Sequence, residues 1–237
     1  MHFRTIADPA TAPPTEYYRH RALPNSSEST AQAPLYLRAA RANTSVLKRS
    51  LDIIVSAGLL AFLVPSLVII AILIRLESDG PALFQQRRFG RDGKVFILYK
   101  FRSMRVQECD GSFVQARSGD PRVTPLGHWL RRSSVDELPQ LFNVLRGDMS
   151  LIGPRPHALA MDQHYARIIP RYSDRLLVRP GLTGLAQISG FRGPTNTIED
   201  ISRRLGRDRA YVRRWSFMLD LKILARTPLS LFGPNAL

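Results

Sequence analysis

Asp136 and Glu137 stand side by side in the segment Ser134-Val135-Asp136-Glu137-Leu138-Pro139-Gln140-Leu141-Phe142-Asn143-Val144-Leu145. A carboxylate can attack phosphorus as a nucleophile, and a neighbouring carboxylate can hold a divalent cation that neutralises the phosphate charge opposing that attack. The apolar residues Val135, Leu138, Leu141, Phe142 and Leu145 follow an amphipathic helical pattern. Proline is comfortable only in a first turn, so Pro139 puts Asp136 and Glu137 at or just before the helix start, where free N–H groups and the dipole favour anions. Neighbours there point about 100° apart and can serve different partners. The plainer alternative is that both are capping residues, with Arg131 and Arg132 as their ion-pair partners.

Two proline-constrained arginines add to this pair. In Gly153-Pro154-Arg155-Pro156, Pro154 and Pro156 stiffen the backbone under Arg155, which then loses little entropy on gripping a phosphate or a base. In Arg179-Pro180-Gly181-Leu182-Thr183-Gly184 the glycines permit close approach of backbone to a ligand. Either stretch could equally be a surface turn. Other chemistries lack their residues: the chain has no Walker lysine behind a glycine loop, no G-x-G-x-x-G opening a helix, no H-E-x-x-H and no G-x-S-x-G. His128, His157 and His164 are scattered, as structural or exposed histidines are.

The elements that must position these groups begin with a tail. Residues 1–43 are rich in Ala, Pro, Ser, Thr and Asn, with Pro13, Pro14, Pro24 and Pro34 interrupting any helical period, which predicts mostly disordered chain. It is too polar for a signal peptide. From Ile53 to Ile74 no charged residue occurs, and at ~1.5 Å per residue such a helix matches a bilayer core of ~30 Å. Pro65 sits at its centre and deprives the Ala61 carbonyl of a partner, so a bend is expected, with the Ser66 hydroxyl returning to the Phe62 carbonyl as compensation. Arg38, Arg41, Lys48 and Arg49 precede the run, and Arg75, Arg87, Arg88, Arg91 and Lys94 follow it. Basic flanks resist translocation. A helix that enters and leaves by one face satisfies both flanks, while an ordinary kinked span leaves one outside; the residues alone leave both open.

Beyond it, Leu83–Gln86 and Val95–Phe101 flank Gly90-Arg91-Asp92-Gly93, a hairpin signal, and Gln107 to Arg122 reads as a polar loop. Arg213 and Arg214 before Trp215, Phe217, Met218, Leu219, Leu221, Ile223 and Leu224 make a basic, aromatic helix suited to a headgroup layer or to core packing. The expected fold is α+β and mainly helical, divided as tail 1–43, membrane helix 44–76 and catalytic body 77–237. At 237 residues with 44% hydrophobic content the chain can build one sizeable domain. Thirty-four Lys and Arg against nineteen Asp and Glu leave a net charge of +15, which attracts nucleic acid, anionic headgroups or nucleotide phosphates without choosing among them. The single Cys109 gives neither an internal disulfide nor a zinc site and fits a reducing compartment.

Taken in order, Lys48-Arg-Ser-Leu-Asp52, the apolar run with Pro65, Tyr99-Lys-Phe-Arg-Ser-Met104, the stretch Ser133 to Pro156 and Val178-Arg-Pro-Gly-Leu-Thr-Gly184 resemble the bacterial sugar transferase family, the monotopic polyprenyl-phosphate phosphoglycosyl transferases. The resemblance runs from about Ser45 to Thr227. It implies a re-entrant membrane helix bent at Pro65 and Ser66, interfacial helices, and a cytosol-facing site at the bacterial inner membrane where Mg²⁺ and an Asp-Glu pair act on a UDP-sugar. By motif position Asp136 is the nucleophile that releases UMP and carries the phosphosugar until polyprenyl phosphate accepts it. Glu137 binds Mg²⁺, with Asp136, or assists as a base. Lys100 and Arg131 bind phosphate, and Arg155 and Arg179 hold the diphosphate or uridine. Asp208 matches an acidic position of the family. Two departures stand out: Val64 precedes Pro65 where a small polar residue is frequent in the family, and residues 1–43 have no counterpart in minimal members.

Two rival classes use the same features. A nucleic-acid-binding protein would account for the charge, though not for a charge-free apolar run of this length. A catalytically inert membrane scaffold would tolerate loss of Asp136. The sugar stays open between hexoses, with galactose and glucose favoured by the resemblance to exopolysaccharide initiators.

Overall fold

The computed structural model describes residues 29–105, 119–191, 193 and 197–231. The first described element is a helix, α1 (Ser29–Thr44), with Pro34 inside it. Disorder expected for residues 1–43 therefore gives way to helix from Ser29. The reason is packing: Leu35, Ala39 and Ala42 recur on one face and are buried in the main core, against the later helix α7 (Ile198–Arg214), a tertiary gain that outweighs the local proline signal. The remainder of that tail, Cys109 and most of the expected polar loop at 107–122 lie outside the described residues.

Helix α2 (Val46–Glu77) is the long apolar element, capped at its start by Ser45, whose Oγ accepts from the Lys48 N–H. It remains helical across Pro65. Among the described residues the Ser66 hydroxyl makes no hydrogen bond, so the expected return to Phe62 is absent; Ser66 is exposed. Most of the apolar stretch is likewise exposed, with Phe62 at 80% and Ile69 at 58%, and by length and composition the helix could cross a membrane.

Both ends of α2 grip the same body. Near the start, Lys48 donates to the Ile152 carbonyl at 2.9 Å and pairs with Asp220 at 2.9 Å, Arg49 donates to the carbonyls of Val144 and Leu145 at 2.6 and 2.7 Å, and Asp52 accepts from Ser150 Oγ and the Leu151 N–H at 3.0 and 2.9 Å. Near the end, Arg102 donates to the Ile74 and Ser78 carbonyls at 3.2 and 2.6 Å, and Glu77 accepts from the Leu126 N–H at 2.9 Å. Ile74 packs with Phe101 and Leu130.

The expected hairpin forms from β1 (Leu83–Phe89) and β2 (Val95–Phe101), antiparallel, with Phe84 opposite Lys100 and Arg88 opposite Phe96. It is longer at its first strand than the sequence pattern indicates. Asn143 secures the free edge of β2, its Oδ1 accepting from the Tyr99 N–H and its amide donating to the Ile97 carbonyl. Asn143 belongs to α4 (Gln140–Arg146), which follows α3 (Pro125–Ser133) and a short 3-10 turn (Val135–Glu137).

A second pair of strands is invisible in the sequence pattern: β3 (Ser150–Ile152) and β4 (Gly181–Thr183) run parallel, each three residues long, too short for a period to register. Between them lie α5 (Leu159–Ile168) and the 3-10 stretch Tyr172–Leu177, and after them α6 (Leu185–Ile188), α7 and α8 (Phe217–Leu231). The basic, aromatic C-terminal segment is thus broken at Trp215 and Ser216. Trp215 is buried and its indole N–H donates to Asp220 at 3.0 Å, the core-packing alternative, while Met218 and Leu229 further on are exposed.

Candidate active site

Ser134 adopts a left-handed conformation (φ 60°) where α3 ends and the 3-10 turn begins. That reversal sets Asp136 inward, 6% exposed, and Pro139 then opens α4, so the pair sits just before a helix start as its sequence implies. Strand β2 lies against this turn.

The two carboxylates have different partners. Glu137 is held in a two-pronged pair by Arg155, with Nη1 to Oε2 at 2.9 Å and Nη2 to Oε1, the fork geometry that guanidinium and carboxylate share. Glu137, first, and Asp136 raise the Arg155 pKa against its burial. Asp136 has no such clamp. Burial, then the like charge of Glu137, push its pKa up to about 6, opposed by Lys100, Arg155 and Arg131. Lys100 reaches the site from β2 with its ammonium 5.2 Å from the Phe84 ring centre; burial lowers its pKa and Asp136 resists this. Four of the expected residues, Asp136, Glu137, Lys100 and Arg155, are therefore brought together, with Arg131 close enough to act on Asp136. Arg132 is exposed.

Arg155 is presented as its prolines imply, and the structure adds what holds that loop. The Gly181 N–H donates to the Pro154 carbonyl at 2.9 Å and the Gly153 N–H to the Thr183 carbonyl at 2.9 Å, so the two proline-arginine motifs brace one another. A Cβ on Gly181 would lie 2.0 Å from the Gly153 nitrogen, and one on Gly184 2.1 Å from the Gly153 oxygen. These glycines thus let two backbones meet, which differs from the expected approach to a ligand. Arg179 also departs from its expected neighbourhood: its guanidinium donates to the Gly147 carbonyl at 3.1 Å and the Asn43 carbonyl at 3.5 Å, tying the α1–α2 junction to the body.

Behind Arg155 lies a buried polar network that the sequence did not reveal. Arg175, 2% exposed, donates to the Arg155 carbonyl and approaches His157 Nδ1; it also donates to Asp162 at 3.2 Å and Tyr172 at 3.0 Å. Burial, then Arg175, Arg204, Arg88 and Arg155, drive the His157 pKa well down, leaving a neutral imidazole in a structural place. Asp208 belongs here. It pairs with Arg175 Nε at 3.4 Å, is 2% exposed, and burial raises its pKa to about 6 against Arg175 and Arg204. A narrow cleft lined by Phe89, Pro154, Arg155, Pro156, His157 and Asp162 opens alongside.

Among the described residues no three His, Cys, Asp or Glu side chains gather as a metal cage. Mg²⁺ is commonly held by one or two carboxylates with substrate phosphates and water supplying the rest; Asp136 offers such a carboxylate, whereas Glu137 would have to give up Arg155, which engages both its oxygens. The site also contains Arg88, on the same hairpin face as Lys100 by strand register. That parity follows from strand alternation across the hairpin, whereas by sequence position alone Arg88 is one of the basic residues flanking the apolar run.

A model of the bacterial sugar transferase family matches residues 43–234. Over 184 residues the chain is 52% identical to a UDP-glucose:undecaprenyl-phosphate glucose-1-phosphate transferase of Caulobacter vibrioides, covering 78% of this chain and 69% of that protein. It is 46% identical over 194 residues to a protein of the same name from Escherichia coli, covering 82% of this chain and 42% of that one. An exopolysaccharide production protein of Rhizobium leguminosarum is 47% identical over 189 residues, covering 78% of this chain and 94% of the relative. The chain thus spans less than half the length of the Escherichia coli relative.

Proposed function

The chain belongs to the bacterial sugar transferase family, and on that premise we propose that it moves glucose-1-phosphate from UDP-glucose to undecaprenyl phosphate, releasing UMP, as the first membrane step of exopolysaccharide synthesis. The choice of glucose over other hexoses rests on the names of the Caulobacter and Escherichia coli relatives. The observation that carries the reaction type is the unclamped, buried Asp136 beside the Glu137–Arg155 pair and Lys100. An enzyme that broke the sugar–oxygen bond would have no need of a carboxylate nucleophile aimed at phosphorus.

In this reading an Asp136 carboxylate oxygen forms a bond to the phosphorus bearing the sugar, and the bond from that phosphorus to the bridging oxygen breaks, so UMP leaves with the electron pair. A phosphate oxygen of the lipid then attacks the same phosphorus and frees Asp136. Burial keeps Asp136 poorly solvated and hence reactive. Arg155 and Lys100 hold phosphate oxygens and disperse their charge, and Arg175 fixes the Arg155 loop from behind. Mg²⁺ at Asp136 and Glu137 would supply further neutralisation of the diphosphate.

The two reactants must meet at the membrane surface, because one carries a buried tail. A monotopic seating of α2 is supported by the grip of both its ends on one body; in this reading both ends lie on one face of the bilayer, the cytoplasmic one given its basic flanks. Purified protein in vesicles with UDP-glucose, undecaprenyl phosphate and Mg²⁺ is expected to release UMP, and Asp136→Asn to lower turnover by at least about 10³-fold. Release of UDP, or a fully active variant, would overturn the reading.

A further inference from the structure

Arg88 is a guanidinium left without a counter-ion inside the site. Its Nη2 donates to Gln86 Oε1, yet its Nε is buried with no partner, and among the described residues it forms no ion pair. The carboxylates whose charge reaches it are Asp162 and Glu137. Both are already engaged, Glu137 by Arg155 and Asp162 by Arg175 and Tyr172. Arg155 and Arg175 add like charge, and with burial as the leading cause the Arg88 pKa falls to about 10. A half-buried cation whose Nε is closed to water, and which has no ion-pair partner of its own among the described residues, is costly unless an anion arrives to meet it.

Its position says which anion. Arg88 shares the inner face of the hairpin with Phe84 and Lys100. Phe101, beside Lys100, packs on Ile74 at the end of α2, so Lys100 occupies the end of that face nearest α2, the membrane-proximal end on the seating proposed above. Phe89, beside Arg88, packs instead with Tyr172, Leu176 and Ile201, at the far end. Four residues of strand separate Phe84, opposite Lys100, from Arg88, about 13 Å at ~3.3 Å per residue. A lipid phosphate is confined to the headgroup level, whereas a soluble nucleotide can reach the deeper end. The backbone of Arg88 is bridged to Ala158, just past the loop carrying Arg155, which fixes it beside that arginine.

We propose that Arg88 is a nucleotide-phosphate residue, its free Nε and fork engaging the UMP-side phosphate that Arg155 also serves. This rests on the function proposed above and assigns the deep end of the hairpin face to the leaving group.

The test is equilibrium binding to full-length protein in nanodiscs, by calorimetry, of UDP with Mg²⁺, of uridine, and of farnesyl phosphate as a short lipid phosphate. Arg88→Gln is expected to weaken UDP at least 10-fold and leave uridine and farnesyl phosphate within 2-fold. Arg88→Lys, which keeps the charge and loses the fork, is expected to fall between wild type and Arg88→Gln, and carries the test if Arg88→Gln fails to fold. Unchanged UDP affinity in the folded variants would overturn the proposal, as would loss of farnesyl phosphate binding instead. Failure of the wild-type protein to bind UDP would strike the proposed function itself, a distinguishable result.

Discussion

At the scale of single residues, the site sorts its acids by what surrounds each one. Glu137 is tied to Arg155, Asp136 is buried and unclamped, and Asp208 is enclosed behind them with Arg175. Asp208 gives a sign that can be worked out. Its folded pKa of about 6 lies above the ordinary value near 3.9, so the folded state holds the proton more tightly than the unfolded chain does. Its contribution to stability is therefore fullest below pH 4 and declines as pH rises to 6, by up to roughly 3 kcal/mol over that window. Thermal melting of wild type and Asp208→Asn from pH 4 to 7 should show the wild type losing ground against the variant across that interval; parallel curves would refute the assignment. Asp136, Glu137 and Arg155 were legible because they sit close to prolines that restrict the backbone. It could not show Arg175 reaching the Arg155 carbonyl, or Arg179 turning toward Asn43, since a long side chain's direction is fixed by packing between segments far apart in the chain.

At the scale of elements, β1–β2 and α2 were readable from turn residues and from uninterrupted apolar character, each a local signal. The β3–β4 pair was not, because its strands derive their identity from one another: Gly153 and Gly181 lie in backbone contact. Helix α1, against the disorder expected of residues 29–43, has the same cause, its Leu35 and Ala39 gaining their burial from distant α7. The junction of α2 with α8 rests on a buried ion pair, Lys48–Asp220, whose side chains are 5% and 0% exposed. Asp220 also accepts from Tyr211 and Trp215 at 2.8 and 3.0 Å. Lys48→Met leaves a buried carboxylate without its cation, a loss of about 3–5 kcal/mol. Adding Asp220→Asn removes the orphaned charge, so the double variant is expected to melt higher than Lys48→Met alone, and a lower or equal melting point would show that the pair is not the governing interaction.

At the scale of the whole molecule, a charge of +15 and an exposed apolar helix suit the anionic membrane surface proposed above. The same features leave orientation to be tested. Leu47 and Leu76, near opposite ends of α2, are 64% and 78% exposed. In a Cys109→Ser background, Leu47→Cys and Leu76→Cys should both react with a membrane-impermeant maleimide in inside-out vesicles and neither in intact spheroplasts. Labelling of one end from each side would mean that α2 spans, and monotopic seating would be lost.

The grip near the start of α2 has one more consequence. Arg49 holds the far end of the helix that follows Asp136 and Glu137, while Lys48 and Asp52 hold the strand that leads into Arg155. A bilayer thicker or thinner than the apolar stretch is accommodated by helix tilt, and on the seating proposed above tilt at this anchor would alter the gap between Asp136 and Arg155. On the function proposed above, hydrophobic mismatch would then act as a kinetic variable, with turnover expected to change between vesicles of short-chain and long-chain lipids.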